Sequence, residues 1–277
     1  MKTVTLPSGE RVPAFGMGTY RMAETRSKRA AELATLRLGL DLGITVIDTA
    51  EMYGEGAAEE MVAEAIHGRR DGLFIVTKVY PHNASREGTI EACERSLHRL
   101  GTDRIDLYLL HWRGSEELAD TLEAFVALQK AGKIRHYGVS NFDVSDLEEL
   151  WSAPGGAAIA TNQVLYNLMR RGIEWSLLPW MHKRHVPVMA YSPIEEAQLA
   201  RNRKLADYAQ TLGMTPSQLA LAWLLAKDDV MVIPKTGNPD RLRENLRALD
   251  FDLTAEHLAQ LDKLFPPPAR PRPLEMR

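Results

Sequence analysis

The sequence has a single cysteine and no long apolar stretch among its 277 residues. Because there is no second cysteine, a disulfide within the chain is excluded, and the amphipathic surroundings of Cys93 predict a buried, reduced thiol. A membrane span needs roughly 18 consecutive apolar residues, and no run approaches that length. The first residues also lack the apolar core of a secretion signal. We therefore expect a cytoplasmic protein without a membrane partner.

Neither sign of charge dominates the sequence. Its 34 basic and 37 acidic residues give a formal net charge of -3. This balance gives no electrostatic reason to expect a nucleic acid or an acidic membrane surface as partner. The hydrophobic fraction of 45% and the charged fraction of 26% are ordinary for a soluble globular protein.

Motifs typical of several other enzyme classes are missing. Glu59 stands where a third glycine would complete a dinucleotide fingerprint after Gly54 and Gly56. No phosphate loop of the form GxxxxGK[ST] occurs, and no tyrosine is followed four positions later by lysine, as a short-chain dehydrogenase requires. His182 and His185 have no acidic or cysteine partner, so we interpret them as surface histidines and expect no metal site.

Short apolar runs alternate with longer segments of helical periodicity, which indicates an α/β fold with a parallel sheet covered by helices. The eight candidate strands are 15–18, 44–48, 73–78, 105–110, 136–140, 158–162, 186–190 and 230–234. The helical patterns lie near 27–42, 57–68, 86–99, 116–131, 144–151, 173–184 and 216–226. Since a typical (β/α)8 barrel needs about 250 residues, this pattern predicts a TIM barrel.

Two segments fall outside the repeat. Residues 2–13 predict a β-hairpin with Ser8 and Gly9 in its turn, placed to close the bottom of the barrel. Residues 265–277 form a proline-rich tail that cannot form helix. No linker divides the chain, so we expect residues 1–277 to form a single domain.

Polar residues end seven successive candidate strands. One such residue could be an ordinary turn or cap, but seven predict a shared polar pocket, because the carboxyl ends of barrel strands converge on the active site. In chain order these residues are Asp48, Lys78, His111, Ser140 with Asn141, Asn162 with Gln163, Tyr191 with Ser192, and Lys235 with Thr236.

Short segments around these positions resemble a known family. They are GMGT at 16–19, IDTAEMYG at 47–54, IVTK at 75–78, LLHW at 109–112, GKIR at 132–135, GVSNF at 138–142, NQV at 162–164, AYSP at 190–193 and VIPKT at 232–236. Together and in order, they make nearly the whole chain similar to the aldo-keto reductase family. The bacterial branch that reduces methylglyoxal and similar 2-oxoaldehydes is nearest.

The resemblance implies an NADPH-dependent reductase of aldehydes or ketones with four catalytic residues. Tyr53 would give a proton to the carbonyl oxygen, Lys78 and Asp48 would support it as an ion pair, and His111 would orient the carbonyl. A free tyrosine has a pKa near about 10, and a neighbouring ammonium stabilises the phenolate. We therefore expect Lys78 to lower the pKa of Tyr53.

The resemblance also implies how NADPH is held. Tyr191 would stack on the nicotinamide, and Ser140, Asn141 and Gln163 would bind its carboxamide. The 2'-phosphate and adenine would lie near Lys235, Thr236, Arg241, Glu244 and Asn245, although Arg241 could instead belong to an ordinary solvated helix face. The remaining expected cofactor contacts are Gly18, Thr19, Tyr20, Ser192 and Pro193.

Tyr20, Met52, Tyr80 and Trp112 are candidates for lining a substrate pocket, with core packing as the alternative explanation. Two features depart from the family pattern. Glu195 and Glu196 would oppose the cofactor pyrophosphate if they pointed inward, and the short tail after residue 265 predicts an open pocket.

We expect a monomer whose partner is a small carbonyl compound. The alternative hypothesis is an NADPH-binding subunit that senses redox state through interactions and turns over little substrate.

Overall fold

The computed structural model describes residues 2–277, which begin with an antiparallel hairpin of β1 (Thr3–Thr5) and β2 (Arg11–Pro13). Eight parallel strands follow, and their order in the sheet is their order in the chain. This confirms the predicted TIM barrel. The strands are β3 (Gly16–Gly18), β4 (Val46–Asp48), β5 (Phe74–Val79), β6 (Ile105–Leu110), β7 (Ile134–Ser140), β8 (Asn162–Leu165), β9 (Val188–Tyr191) and β10 (Val230–Val232).

Backbone contacts close the barrel between its first and last strands. Phe15 forms a parallel bridge with Val232. The backbone nitrogen of Val232 donates to the oxygen of Ala14 at 2.8 Å, and that of Gly18 donates to the oxygen of Pro234 at 3.1 Å. No open sheet edge is therefore left at this seam.

Ten α-helices surround the strands in the described chain. They are α1 (Arg26–Asp41), α2 (Ala57–Ile66), α3 (Arg86–Leu100), α4 (Leu118–Lys130), α5 (Val144–Ser152), α6 (Leu177–His182), α7 (Arg203–Thr211), α8 (Pro216–Leu225), α9 (Pro239–Leu246) and α10 (Ala255–Leu264). Their ends follow local chemistry: the Thr215 side chain caps α8 in a capping box with Gln218, and the Asn238 side chain caps α9. Among residues 2–277, no helix is both long and apolar enough to cross a membrane.

The sixth barrel strand lies further along the chain than the apolar run predicts. The prediction of 158–162 is wrong, because β8 spans Asn162–Leu165 and residues Gly156–Ala158 form a 3-10 turn. A β-carbon at Gly156 would lie 1.8 Å from the carbonyl oxygen of Leu150, so the chain makes a tight turn there before it can join the sheet. The apolar residues before Asn162 still lie beside β7, since Ala160 N donates to Tyr137 O at 2.7 Å.

Four helices differ from the predicted helical patterns. The helical pattern at 173–184 is shorter in the structure, where only Leu177–His182 is α-helical. None of the predicted helical patterns covers α7, α9 or α10. Helix α7 buries Leu205 and Ala209 and α10 buries Leu261, and Tyr208 and Leu258 pack against the core beside them, so both helices have an apolar face.

The hairpin closes the amino end of the barrel, as the sequence predicts. Its residues Val4, Leu6 and Val12 are buried in the main core. Glu10 accepts hydrogen bonds from Arg135 at 2.6 Å and from His136 at 2.7 Å, near the start of β7. The carboxyl ends of the barrel strands lie at the opposite end.

A buried carboxylate organises the amino end of the sheet. Asp106, near the start of β6, is fully buried and accepts hydrogen bonds from Arg70 at 2.6 Å, Arg135 at 3.0 Å and the backbone nitrogen of Ile75 at 2.9 Å. Arg104 Nε also lies 3.6 Å from Asp106, so removing this charge would leave three arginines and a backbone donor without their common partner.

We predict that Asp106→Asn lowers the free energy of unfolding by about 3 kcal/mol, because it breaks a buried charge network. Urea denaturation measures the change. Asp240→Asn is the control, since Asp240 is highly exposed and 3.5 Å from Arg243, and it should shift stability by less than about 0.5 kcal/mol. Equal effects of the two substitutions would contradict the structural role of Asp106.

Candidate active site

The carboxyl ends of the barrel strands surround a cavity of about 840 Å³. Because all eight strands are parallel, the residues that follow them meet at one mouth. Most of the side chains predicted from the sequence line it. They are Gly18, Tyr20, Asp48, Met52, Tyr53, His111, Trp112, Ser140, Asn141, Gln163, Tyr191, Ser192, Pro193, Lys235, Thr236, Arg241, Glu244 and Asn245.

A buried ion pair joins β4 to β5 beneath this cavity. Lys78 Nζ is 2.9 Å from both carboxylate oxygens of Asp48 and donates to the backbone oxygen of Thr49 at 2.7 Å. Gln163 Nε2 donates to Asp48 Oδ1 at 2.7 Å. Burial raises the pKa of Asp48 and lowers that of Lys78, while each partner's charge acts in the opposite direction. The hydrogen bonds that Lys78 and Gln163 donate to Asp48 favour the ionised pair.

Tyr53 lies in the turn after β4, with its hydroxyl 3.3 Å from Lys78 Nζ. The expected lowering of its pKa is wrong. Burial, followed by the negative charge of Asp48, raises the pKa of the Tyr53 phenol well above its ordinary value. The phenol is therefore protonated at neutral pH, and a proton leaving it would create an anion beside the Lys78 ammonium.

His111 follows β6 directly, and its ring lies 5.7 Å from that of Tyr53, measured between ring centroids. Burial lowers the pKa of His111 well below its ordinary value, and the charge of Lys78 adds to this effect. Its Nδ1 atom is buried and has no hydrogen-bond partner within residues 2–277. A neutral imidazole is thus held at the cavity wall.

Hydrogen bonds link the ends of β7, β8 and β9. Ser140 Oγ donates to the backbone oxygen of Gln163 at 2.8 Å. Asn141 Nδ2 donates to Ser140 Oγ and to the backbone oxygen of His111, both at 3.1 Å. Tyr191 Oη donates to Asn141 Oδ1 at 2.8 Å. These bonds hold Asn141 in a left-handed conformation with φ of 59° and fix the ring of Tyr191 at the cavity wall.

Cationic groups and residues from the first turns of α8 and α9 line another part of the cavity. Lys235 and Arg241 both contribute to its wall, as do Pro216 and Ser217 in the first turn of α8. Burial lowers the pKa of Lys235. Backbone N–H groups at helix amino ends, together with cations, are suited to bind a phosphate.

Glu244 and Asn245 complete this part of the wall. Glu244 Oε1 accepts from Thr215 Oγ1 at 2.6 Å, and the Glu244 backbone oxygen accepts from Gln218 Nε2 at 3.1 Å. These bonds join the second half of α9 to the start of α8.

Aromatic residues surround Tyr53. The ring centroid of Tyr20 is 5.3 Å from that of Tyr53, and Trp112 is 4.9 Å from His111. Tyr80 does not line the cavity. It packs edge-on against Trp112 at 5.0 Å instead, so its contact with the cavity is indirect.

Two more predicted residues lie behind the cavity wall. Thr19 is fully buried, and its hydroxyl donates to the backbone oxygen of Asp48 at 3.0 Å. Lys78 is fully buried as well and reaches the cavity only through Asp48 and Tyr53. Both act on the site through other residues.

The two glutamates in the loop after β9, Glu195 and Glu196, have different surroundings. Glu195 is fully buried, accepts from Asn167 Nδ2 at 2.6 Å and Arg170 Nε at 2.9 Å, and pairs with Arg277. Its charge is therefore compensated and does not face a ligand. Glu196 lines the cavity, 3.4 Å from Arg277 Nη1.

The expectation of an open pocket requires correction on the side of the C-terminal segment. Arg277 lines the cavity, and its backbone nitrogen donates to Tyr191 Oη at 3.2 Å. Arg170 also holds Glu275 at 2.7 Å, which anchors the segment along the barrel. The sequence did not predict Arg277 as a cavity residue. Its contact is with Tyr191, 86 positions away, and no local pattern in a proline-rich tail indicates a contact at that separation.

Arg21, Arg201 and Ala200 are further cavity residues that sequence reasoning missed. Arg21 directly follows Tyr20, which was a predicted cofactor contact. Its guanidinium lies 5.1 Å from the ring centroid of Tyr20. The position of Arg21 after a strand end was the only signal that could have found it.

Comparison with known proteins identifies the family. The model of the aldo/keto reductase family matches residues 14–265. The chain belongs to this family. Among its aldo/keto reductase relatives, the methylglyoxal reductase YeaE of Escherichia coli is 47% identical over 96% of this chain and 95% of that protein. The glyoxal reductase of Bacillus subtilis is 34% identical over 95% of this chain and 92% of that protein.

A solved structure agrees closely with this fold. The aldo/keto reductase from Klebsiella pneumoniae, crystallised in complex with NADP and acetate, matches with a TM-score of 0.96 and 47% identity. The match covers 100% of this chain and 99% of that one. The aldo/keto reductase barrel is therefore shared over the full length described here.

We predict that His111 makes stability depend on pH. The buried ring stays neutral, whereas the unfolded chain binds a proton below a pKa of 6.5, so this contribution is complete above pH 6.5 and is lost as the pH falls. When the pH is lowered from 7.5 to 5.5, the free energy of unfolding should therefore fall by about 1 kcal/mol less in His111→Gln than in the parent. Urea denaturation at both pH values measures this difference, and an equal loss in both proteins would contradict it.

Proposed function

We propose that the chain reduces aldehydes or ketones with NADPH, and that Tyr53 gives the proton to the carbonyl oxygen. The observation that carries the proposal is a protonated phenol 3.3 Å from a buried ammonium in the wall of a large cavity. When bound, NADPH supplies the hydride. The chain's own residues hold the reactants and provide the proton.

The cavity residues fit this cofactor. The Tyr191 ring offers a flat surface for the nicotinamide, and Ser140, Asn141 and Gln163 offer hydrogen-bonding groups for its carboxamide. Lys235, Arg241 and the helix amino ends offer positive potential for phosphate groups. Because Glu195 is already paired, its charge does not oppose the pyrophosphate.

Proton transfer follows from the electrostatics around Tyr53. A neutral His111 donates a hydrogen bond to the carbonyl oxygen and orients it toward the phenol. As negative charge develops on that oxygen, Tyr53 releases its proton, and Lys78 stabilises the resulting phenolate. Asp48 keeps Lys78 charged and in place.

The substrate class follows from the rest of the wall and from the relatives. Tyr20, Met52 and Trp112 offer an apolar surface for a small carbonyl compound. Because relatives are named methylglyoxal and glyoxal reductases, 2-oxoaldehydes are the first substrates to test. The protein acts as a monomer in this proposal.

We predict that Tyr53→Phe reduces kcat with methylglyoxal by about 100-fold or more, because it removes a proton donor. NADPH affinity should stay within about twofold, since the phenol is not a cofactor contact. Absorbance at 340 nm measures turnover, and fluorescence titration measures binding.

Tyr108→Phe is the matched control for this substitution. The Tyr108 hydroxyl is buried without a hydrogen-bond partner in the described chain and does not line the cavity, so its removal should leave kcat unchanged. Equal turnover by Tyr53→Phe and the parent would refute the role of Tyr53. A folded parent that binds NADPH but reduces no carbonyl would refute the proposed function and favour a redox-sensing subunit.

We predict that Arg241→Ala raises the Kd for NADPH by about 10-fold or more, because a charged hydrogen bond to the 2'-phosphate is lost. The Kd for NADH should change by less than about twofold. Arg243→Ala is the control, since Arg243 belongs to the same helix but pairs with Asp240 outside the cavity. Equal weakening of both cofactors would show that Arg241 does not bind the phosphate.

A further inference from the structure

We propose that Arg99, together with Glu51 and Glu59, is a positioning group that sets the contact between Tyr53 and Lys78. This proposal rests on the proposed function, in which Tyr53 is the proton donor. We call these three residues the Arg99 bridge. None of them lines the cavity, so the bridge acts from behind it.

The turn that carries Tyr53 needs support from outside. Its residues Gly54, Glu55 and Gly56 all have positive φ, at 57°, 56° and 96°. For Glu55 this conformation costs energy, and it persists only where the surroundings hold it. Tyr53 packs in a small cluster with Ala50 and Ala58 that is separate from the main hydrophobic core.

Two carboxylates tie this turn to β5. Glu51, before Tyr53, accepts from the backbone nitrogen of Tyr80 at 2.7 Å and from Asn83 Nδ2 at 3.0 Å. Glu59, after Tyr53, accepts from Thr77 Oγ1 at 2.6 Å. The two carboxylates therefore flank Tyr53 in sequence, and their partners Thr77 and Tyr80 flank Lys78.

Arg99 of α3 binds the Glu59 carboxylate and lies within ion-pair distance of the Glu51 carboxylate. Its Nε donates to Glu59 Oε2 at 2.6 Å, and its Nη2 lies 4.0 Å from Glu51 Oε2. Glu59 is fully buried and the side chain of Glu51 is 9% exposed. Arg95 of the same helix also lies 3.9 Å from Glu51 Oε2, but among residues 2–277 only Arg99 lies near both carboxylates.

Arg99 also contacts the turn itself. A β-carbon at Gly56 would lie 2.5 Å from Arg99 Cδ and 2.7 Å from its Nε. The arginine is therefore packed directly against the end of the turn. Since the bridge fixes both ends of the turn to β5, a change in Arg99 should move Tyr53 relative to Lys78.

The first test substitutes Arg99 by Lys and by Met. A misplacement of about 1 Å at a reacting group costs as much as about 100-fold in rate. We therefore expect kcat to fall by about 10-fold or more in Arg99→Met and by less in Arg99→Lys, which keeps the charge. The KM for the carbonyl and the Kd for NADPH should change by less than about twofold.

Arg86→Met is the matched control on the same helix. Arg86 forms an exposed pair with Glu123 at 2.8 Å, so its loss should leave kcat unchanged. Thr77→Val is a milder second variant if Arg99→Met does not fold, because it removes only the hydroxyl that binds Glu59. In a Tyr53→Phe background, Arg99→Lys should cause no further loss beyond about twofold, since the group it positions is gone.

A readout independent of turnover separates this proposal from the proposed function. In protein labelled with 13C at tyrosine Cζ, the Tyr53 resonance is assigned by its absence in Tyr53→Phe. It should shift in Arg99→Lys and Thr77→Val but not in Arg86→Met. That shift would support the bridge even if the parent reduced no carbonyl.

Two outcomes would overturn the proposal. One is an unmoved Tyr53 resonance in both Arg99→Lys and Thr77→Val. The other is a parallel loss of kcat, NADPH affinity and melting temperature, which would show that Arg99 only stabilises the fold.

Discussion

Two opposite charges, on Lys78 and Asp48, lie buried inside the barrel. Burying a charged pair is costly unless every remaining donor and acceptor is satisfied. Here Gln163 and the backbone oxygen of Thr49 complete the hydrogen bonds. These partners come from different strands, so the pair is stable only when the closed barrel brings the strand ends together.

The two ends of the barrel use buried charge for different purposes. At the amino end, Asp106 binds Arg70 and Arg135, and Glu10 of the hairpin also binds Arg135, so the charges there hold the sheet together. At the carboxyl end, the positive charge of Lys78 faces a phenol that can lose a proton. In the proposed function, one end of the strands therefore provides stability and the other provides the chemistry.

The sequence predicted the barrel well, because seven of the eight apolar runs overlap a barrel strand along most of its length and the parallel topology fixes where their ends meet. It also predicted most of the cavity wall for the same reason. Polar residues such as His111 and Tyr191 directly follow or end a strand, and that position can be read from local pattern alone.

What the sequence did not predict depends on contacts between distant segments. The pKa of Tyr53 depends on how deeply the turn is buried, which no pattern around Tyr53 reports. Arg277 reaches the cavity only because Glu195 and Arg170 anchor the C-terminal segment. Tyr80 follows a strand as predicted, but Trp112 lies between it and the cavity. The Arg99 bridge likewise joins α2, α3 and β5, which are separated in the chain.

The surroundings of Lys78 also bear on which reactions a carbonyl compound can undergo in this barrel. A free lysine amine adds to aldehydes and forms an imine. Lys78 is fully buried, and contacts with Asp48, Thr49 and Tyr53 engage all three of its protons. The single thiol, Cys93, is also buried, and burial raises its pKa to about 12, so it carries no reactive thiolate at neutral pH. An electrophilic substrate therefore meets neither a free amine from Lys78 nor a thiolate from Cys93, and these two residues are protected from covalent modification by it.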